Sequence, residues 1–85
     1  MKNGYTLTAH AAIVVAERGI HKEWIQRVLS APIKVIQDIA DPTRCHAYGS
    51  ISERDDRTLH IIYNNTTYLK KIISVYFDLR MRGKR

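Results

Sequence analysis

The apolar pattern of this chain changes period at one place, Ala31-Pro32, and that change constrains the fold more than any other feature. Before it, apolar residues recur at helical spacing. Ala9, Ala12, Ile13 and Ala16 form a stripe that Val14 and Val15 widen, and Trp24, Ile25, Val28 and Leu29 mark a second helical face. After it, apolar and β-branched residues alternate or cluster in short runs, as strands require. A residue preceding proline is driven out of the helical region, so the second helix stops at this boundary.

The local signals then place the elements. Thr8 caps a helix over about 9–18, because its hydroxyl can accept a free first-turn amide, and Gly19 stands where a left-handed helix end is wanted. A second helix runs over about 22–30, with Glu23 in its first turn and Arg27 near its end, as the helix dipole prefers. Strands are predicted over 33–39, 44–51, 58–63 and 67–77. Asp41-Pro42 is a turn signal, the polar stretch 52–56 reads as a loop, and Asn64-Asn65 suits a hairpin turn because Asn tolerates positive φ. Helices grouped ahead of strands joined by short turns imply an α+β fold: two N-terminal helices on one face of a four-stranded antiparallel sheet. The other face is then partly open, and a site could lie there.

With 85 residues the chain supports one core. A single domain is expected over 1–85, its core about 5–77 and a basic tail over 78–85. The net charge of +6 is unevenly spread: residues 1–43 hold five basic and four acidic side chains, residues 44–85 nine and four. That asymmetry suits a polyanionic partner, nucleic acid or an acidic protein, or else a solubilising tail. The single cysteine, Cys45, excludes an internal disulfide and any multi-cysteine zinc module. Cys45 and His46 are neighbours that point to opposite faces of a strand, and His21 and His60 have no ligand spacing with them. There is no glycine-rich phosphate loop, so neither a metal nor a cofactor is expected. The longest uncharged apolar run, 9–16, is interrupted by His10 and too short for a membrane helix, and no small-residue cleavage site follows an apolar run near Met1. A cytoplasmic protein is the expectation.

The opening YTLTAHAAIVVAERGI carries more than periodicity. Tyr5, Leu7, Thr8, His10, Ala11, Glu17, Arg18, Gly19 and Ile20 resemble the start of a small bacterial family, domain of unknown function 4258. VLSAP at 28–32, YGSISERDDRTLHIIY at 48–63 and the closing IISVYF continue the likeness over about 5–77. That family looks related to the RelE-like and BrnT-like toxins of toxin–antitoxin modules, with a RelE/barnase-like ribonuclease architecture. The resemblance implies metal-independent cleavage of mRNA, free or ribosome-bound, restrained by an antitoxin protein, and it leaves a homodimer open. Two positions depart from the family pattern: Val14 stands where arginine is common and Ser74 where threonine is usual. Val14 keeps open a weakened or inactive RNA-binding module of the same fold. A protein-interaction domain that docks an acidic partner is a second rival.

Metal-free RNA cleavage needs a base for the 2′-hydroxyl, an acid for the departing 5′-oxygen, and cations for the charge that gathers on phosphorus. His10, in the first turn of the first helix, is the candidate base or acid; a packed histidine bonded to a carbonyl is the plainer alternative. Arg18 is the candidate phosphate clamp, ~80° from His10 in azimuth and ~12 Å along the axis, or else a surface arginine serving the helix end. Ser74 and Tyr76 share one strand face and complete the catalytic set, an ordinary half-exposed strand face being the plainer alternative. Arg57, His60 and Arg80 are candidates for substrate binding. His60 alternates with Leu59 and Ile61, so it turns to the open face if those two pack beneath the helices. Tyr5, Tyr48, Tyr63, Tyr68 and Tyr76 interleave with basic residues in a way that suits stacking on single-stranded RNA, although tyrosine is also a routine strand residue.

Overall fold

The computed structural model describes residues 4–82, with side chains through Asp78. β1 (Tyr5–Leu7) leads into α1 (Ala9–Arg18) and α2 (Lys22–Ser30). β2 (Lys34–Gln37), β3 (Arg44–Ile51), β4 (Arg57–Asn64) and β5 (Lys70–Arg82) follow, with a short 3-10 turn at Ser52–Arg54.

Both helices lie where local chemistry puts them. The Thr8 hydroxyl accepts the Ala11 amide at 3.1 Å, and Gly19 ends α1 at φ 62, a conformation that crowds any Cβ. The buried side of α1 is Ala11 and Val15, not the expected stripe of Ala9, Ala12, Ile13 and Ala16; Ile13 is 57% exposed. Three of those four residues are alanines, which gain little by burial, so Val15 and the alanine one turn before it decide the face. α2 buries Trp24, Ile25 and Val28, in line with their spacing.

The sheet corrects the expected fold. It has five strands in the order β1-β5-β4-β3-β2, and β1 runs parallel to β5, so the sheet is mixed rather than four-stranded and antiparallel. A three-residue strand is too short to show a readable alternation, and its partner is distant in sequence: Tyr5 pairs with Lys70 and Leu7 with Ile72. The next residue fastens it. The Thr8 amide donates to the Ile72 carbonyl at 3.0 Å and the Thr8 hydroxyl to the Ile73 carbonyl at 3.4 Å. The strands β2 to β5 form an antiparallel meander. β5 continues past Phe77 to Arg82, into the segment read as tail. After β4 the turn is made by the Asn64 side-chain oxygen, which accepts the Thr66 amide at 2.8 Å, rather than by positive φ. Among the described residues, the non-glycine positions at positive φ are Asp55 and Asp56, just ahead of β4.

Alternation sorts the sheet into two faces. Cys45, Ala47, Ile51, Leu59, Ile61 and Val75 pack with Ala11, Val15, Trp24, Ile25 and Val28 into the core. Gly49 belongs to this face, and it is glycine because a Cβ there would lie 2.7 Å from Val28 Cγ2. The intervening residues, among them His46, Tyr48, His60, Ser74 and Tyr76, stand on the face that neither helix covers.

Candidate functional site

On the uncovered face, β3 and β4 bring two histidines together. His46 pairs with Ile62 and Tyr48 with His60, so the imidazoles are diagonal neighbours. His46 Nδ1 and His60 Nε2 are 2.8 Å apart, and His46 Nε2 lies 3.2 Å from the Asp38 carboxylate in the β2–β3 connection. The Tyr48 ring stacks on His60 with centroids 4.3 Å apart, and Tyr76 from β5 packs on it at 4.7 Å. The Lys34 ammonium sits 5.2 Å from the centre of the Tyr48 ring.

The protons in this chain are ordered by Asp38. Its hydrogen bond with His46, then the Ala40 and Asp41 amides, hold its carboxyl below the usual carboxylate range, so it is ionised at neutral pH. A carboxylate only accepts, hence His46 Nε2 carries a proton. When His46 is neutral, its Nδ1 is a lone pair, His60 Nε2–H donates into it, and His60 Nδ1 is an unprotonated base. A second proton on His46 reverses the middle bond and makes His60 Nδ1 an N–H. The chain thus turns one atom from base to acid according to the charge on His46. That atom is buried without a hydrogen-bond partner, and His60 as a whole is 5% exposed. Burial, then repulsion from His46, push the His60 pKa down to about 4, with Asp78 acting against them. His60 is therefore neutral at pH 7. Burial, together with Tyr76 and Asp78, raises the Tyr48 pKa, so it remains a phenol and a proton donor.

The expected site residues divide between two sides of the sheet. His60, Ser74 and Tyr76 share the uncovered face, Tyr76 opposite His60 and Ser74 opposite Ile62. His10 and Arg18 are exposed on α1, whose buried side packs on the other face, so the structure does not bring them to Tyr76. Arg57 is exposed at the start of β4, in a shallow groove of about 400 Å³ shared with Glu53 and Arg54. The Arg80 side chain lies outside the described residues. Asp38 escaped sequence reasoning, His46 entered it only as a rejected metal ligand, and Tyr48 only as one of five tyrosines suited to stacking. Alternation within 44–51 already places His46 and Tyr48 on one face; their meeting with His60 depends on the β3–β4 register. Asp38 lies beyond the end of β2 and carries no local signal. Among the described residues no group of three His, Cys, Asp or Glu side chains is placed to hold a metal ion.

The fold and this cluster define a small α+β domain whose uncovered sheet face carries a carboxylate-anchored imidazole chain. The protein belongs to the family described as Domain of unknown function (DUF4258), whose model matches residues 7–77. Comparison with curated proteins and with solved structures finds no match. Among the described residues no helix is long and apolar enough to cross a membrane.

Proposed function

We propose that the chain is a metal-independent endoribonuclease of the toxin–antitoxin type, acting on mRNA in the cytoplasm under the restraint of an antitoxin protein. The observation that supports this reading is the Asp38–His46–His60 chain, with its imidazole nitrogens 2.8 Å apart and two tyrosine rings around the terminal histidine. Such a chain moves protons without a metal. His60 Nδ1 takes the proton of the 2′-hydroxyl while His60 Nε2–H passes its own to His46 Nδ1, and Asp38 stabilises the imidazolium that results. The 2′-oxygen bonds to phosphorus and the P–O5′ bond breaks, leaving a 2′,3′-cyclic phosphate. A Tyr48 or Tyr76 phenol protonates the 5′-oxygen; the relay then runs back, His46 Nδ1–H returning its proton to His60 Nε2 while solvent carries the His60 Nδ1 proton to the phenolate. The relay compensates for the weak basicity of buried His60, because the proton comes to rest on His46 beside a carboxylate. Substrate reaches Nδ1 when one tyrosine ring swings aside and stacks on a base. Lys34, beside the Tyr48 ring, supplies positive charge for the phosphates, whereas Arg57 pairs with Ile51 on the helix side of the sheet and, like His10 and Arg18, takes no part in this step.

Incubating the purified chain with labelled single-stranded RNA in EDTA should release fragments with cyclic phosphate ends. His46→Gln and His60→Gln should each slow turnover ~100-fold or more, and His10→Ala should leave it unchanged. RNA that binds without being cut would instead favour the inactive binding module, the reading that Val14 and the sealed His60 nitrogen support. Cleavage that survives His60→Gln would remove the histidine chain from the mechanism.

A further inference from the structure

β2 ends the sheet, hydrogen-bonded to β3 on one side only, and all four of its residues are exposed. Sheet edges are ordinarily blunted by charge, proline or a covering element, because their free N–H and C=O groups template another strand. This edge does the reverse. Ile33 is 65% exposed, Val35 48%, Ile36 44% and Ile39 99%. The segment 33–39 holds only Lys34 and Asp38 as charges, so it is neutral in a chain of net charge +6. It also complements its own reverse. Laid antiparallel to a second copy about Ile36, it sets Ile36 against Ile36, Lys34 against Asp38 twice, and Ile33 against Ile39 twice. Centring the pair on Val35 or on Gln37 loses both ion pairs, because Lys34 then meets Ile36 or Ala40.

We propose that β2 is a self-recognition edge: two copies of this chain pair their β2 strands antiparallel about a two-fold axis at Ile36, joining their sheets into one. Opposite residues in such a pair share a face, and the β2–β3 register puts Lys34 and Ile36 on the face of Tyr48 and His46. Lys34 of one copy therefore approaches Asp38 of the other, the carboxylate that holds His46. A groove of about 270 Å³ that Ile36, Asp38, His46 and Tyr48 help to line lies at the junction. The dimer thus sets two histidine chains on one continuous face, each with an added cation beside its carboxylate. A strand pair is a small interface, so the dimer is reversible. This inference stands whether or not the chain cleaves RNA.

Sedimentation velocity of the full chain at physiological salt, from micromolar to millimolar concentration, should show a monomer–dimer equilibrium. Lys34→Glu sets carboxylates against Asp38, and Asp38→Lys sets ammonium groups against Lys34. Each alone should weaken self-association about tenfold or more. An equimolar mixture of the two variants regains both ion pairs and should dimerise like the parent chain, visible in native mass spectrometry as a dimer of mixed mass. Because Asp38 also shapes its own turn, Ile36→Lys gives an independent check: it opposes two like charges at the axis and should abolish the dimer without altering the circular dichroism spectrum. Three results would overturn the proposal. They are a dimer indifferent to Lys34→Glu and Ile36→Lys, a mixture no better than the folded single variants, or a chain monomeric at every concentration, which would leave the edge to a different protein.

Discussion

Gly49 shows how closely a single residue is held. Its α-carbon faces Val28 with no space for a methyl group, which sets how near α2 lies to β3. Gly49→Ala should cost about 1–3 kcal/mol through overpacking, measured as a lower denaturant midpoint at unchanged slope. His60 makes a second prediction at this scale. Its folded pKa is about 4 against the ordinary histidine value of about 6.5, because burial and His46 disfavour the charged ring. Between those values the unfolded chain binds a proton that the folded chain refuses, so stability is lost as pH falls from 6.5 to 4, by roughly 3 kcal/mol in all. His60→Gln should flatten that part of a plot of Tm against pH. A decline would persist at more acid pH, where Glu53, lowered to about 2 chiefly by its bond to Arg27, finally takes its proton. The facing of His60 was legible in its alternation with Leu59 and Ile61. Its low pKa was not, because that follows from Tyr48, Tyr76 and His46 closing around it.

At the scale of elements, α1 and β5 share one residue. The Thr8 hydroxyl accepts the Ala11 amide and reaches the Ile73 carbonyl, while the Thr8 amide bonds Ile72. Thr8→Ala should therefore cost about 1–2 kcal/mol, the upper part of the range for a lost cap, and should speed hydrogen exchange along the β1 edge of β5 as well as in α1. A loss confined to α1 would mean that the link to Ile73 contributes nothing. The 3-10 turn is tied down in two ways of unequal weight. Arg27 and Glu53 form a two-pronged ion pair at 2.9 Å, but both are nearly half exposed, so solvent screens it and it contributes little. The Arg54 guanidinium lies 5.6 Å from Trp24 and 5.4 Å from Phe77 and donates to the last carbonyl of α1, a packing role as much as a charged one. Helix limits were readable because Thr8, Gly19 and Pro32 act within a turn of where they stand. The face of α1 was misjudged because alanines mark a helix without choosing its buried side.

Over the whole molecule, the two sets of candidate residues lie on opposite faces of one sheet, and no single phosphodiester can touch both. The positive charge then bears on binding rather than on chemistry. RNA affinity should fall steeply with salt, log K dropping by ~0.7 per phosphate neutralised for each unit of log salt; an affinity indifferent to salt would mean that the surplus of basic residues faces something else. Taken alone, the amino-acid order determined the helices, the four longer strands, the α+β class and which side chains of β4 share a face, since these rest on hydrogen bonds and periodicities within a few residues; in β5 a register shift opposite Ile62 and Tyr63 brings Ile72 into the core beside Val75, against simple alternation. Only the tertiary structure decided that β1 joins β5 in parallel, that β3 and β4 meet in the register bringing His46 to His60, and that Asp38 completes the chain. Those pairings join residues far apart in sequence, and their selection depends on how the whole core closes, which no local period records.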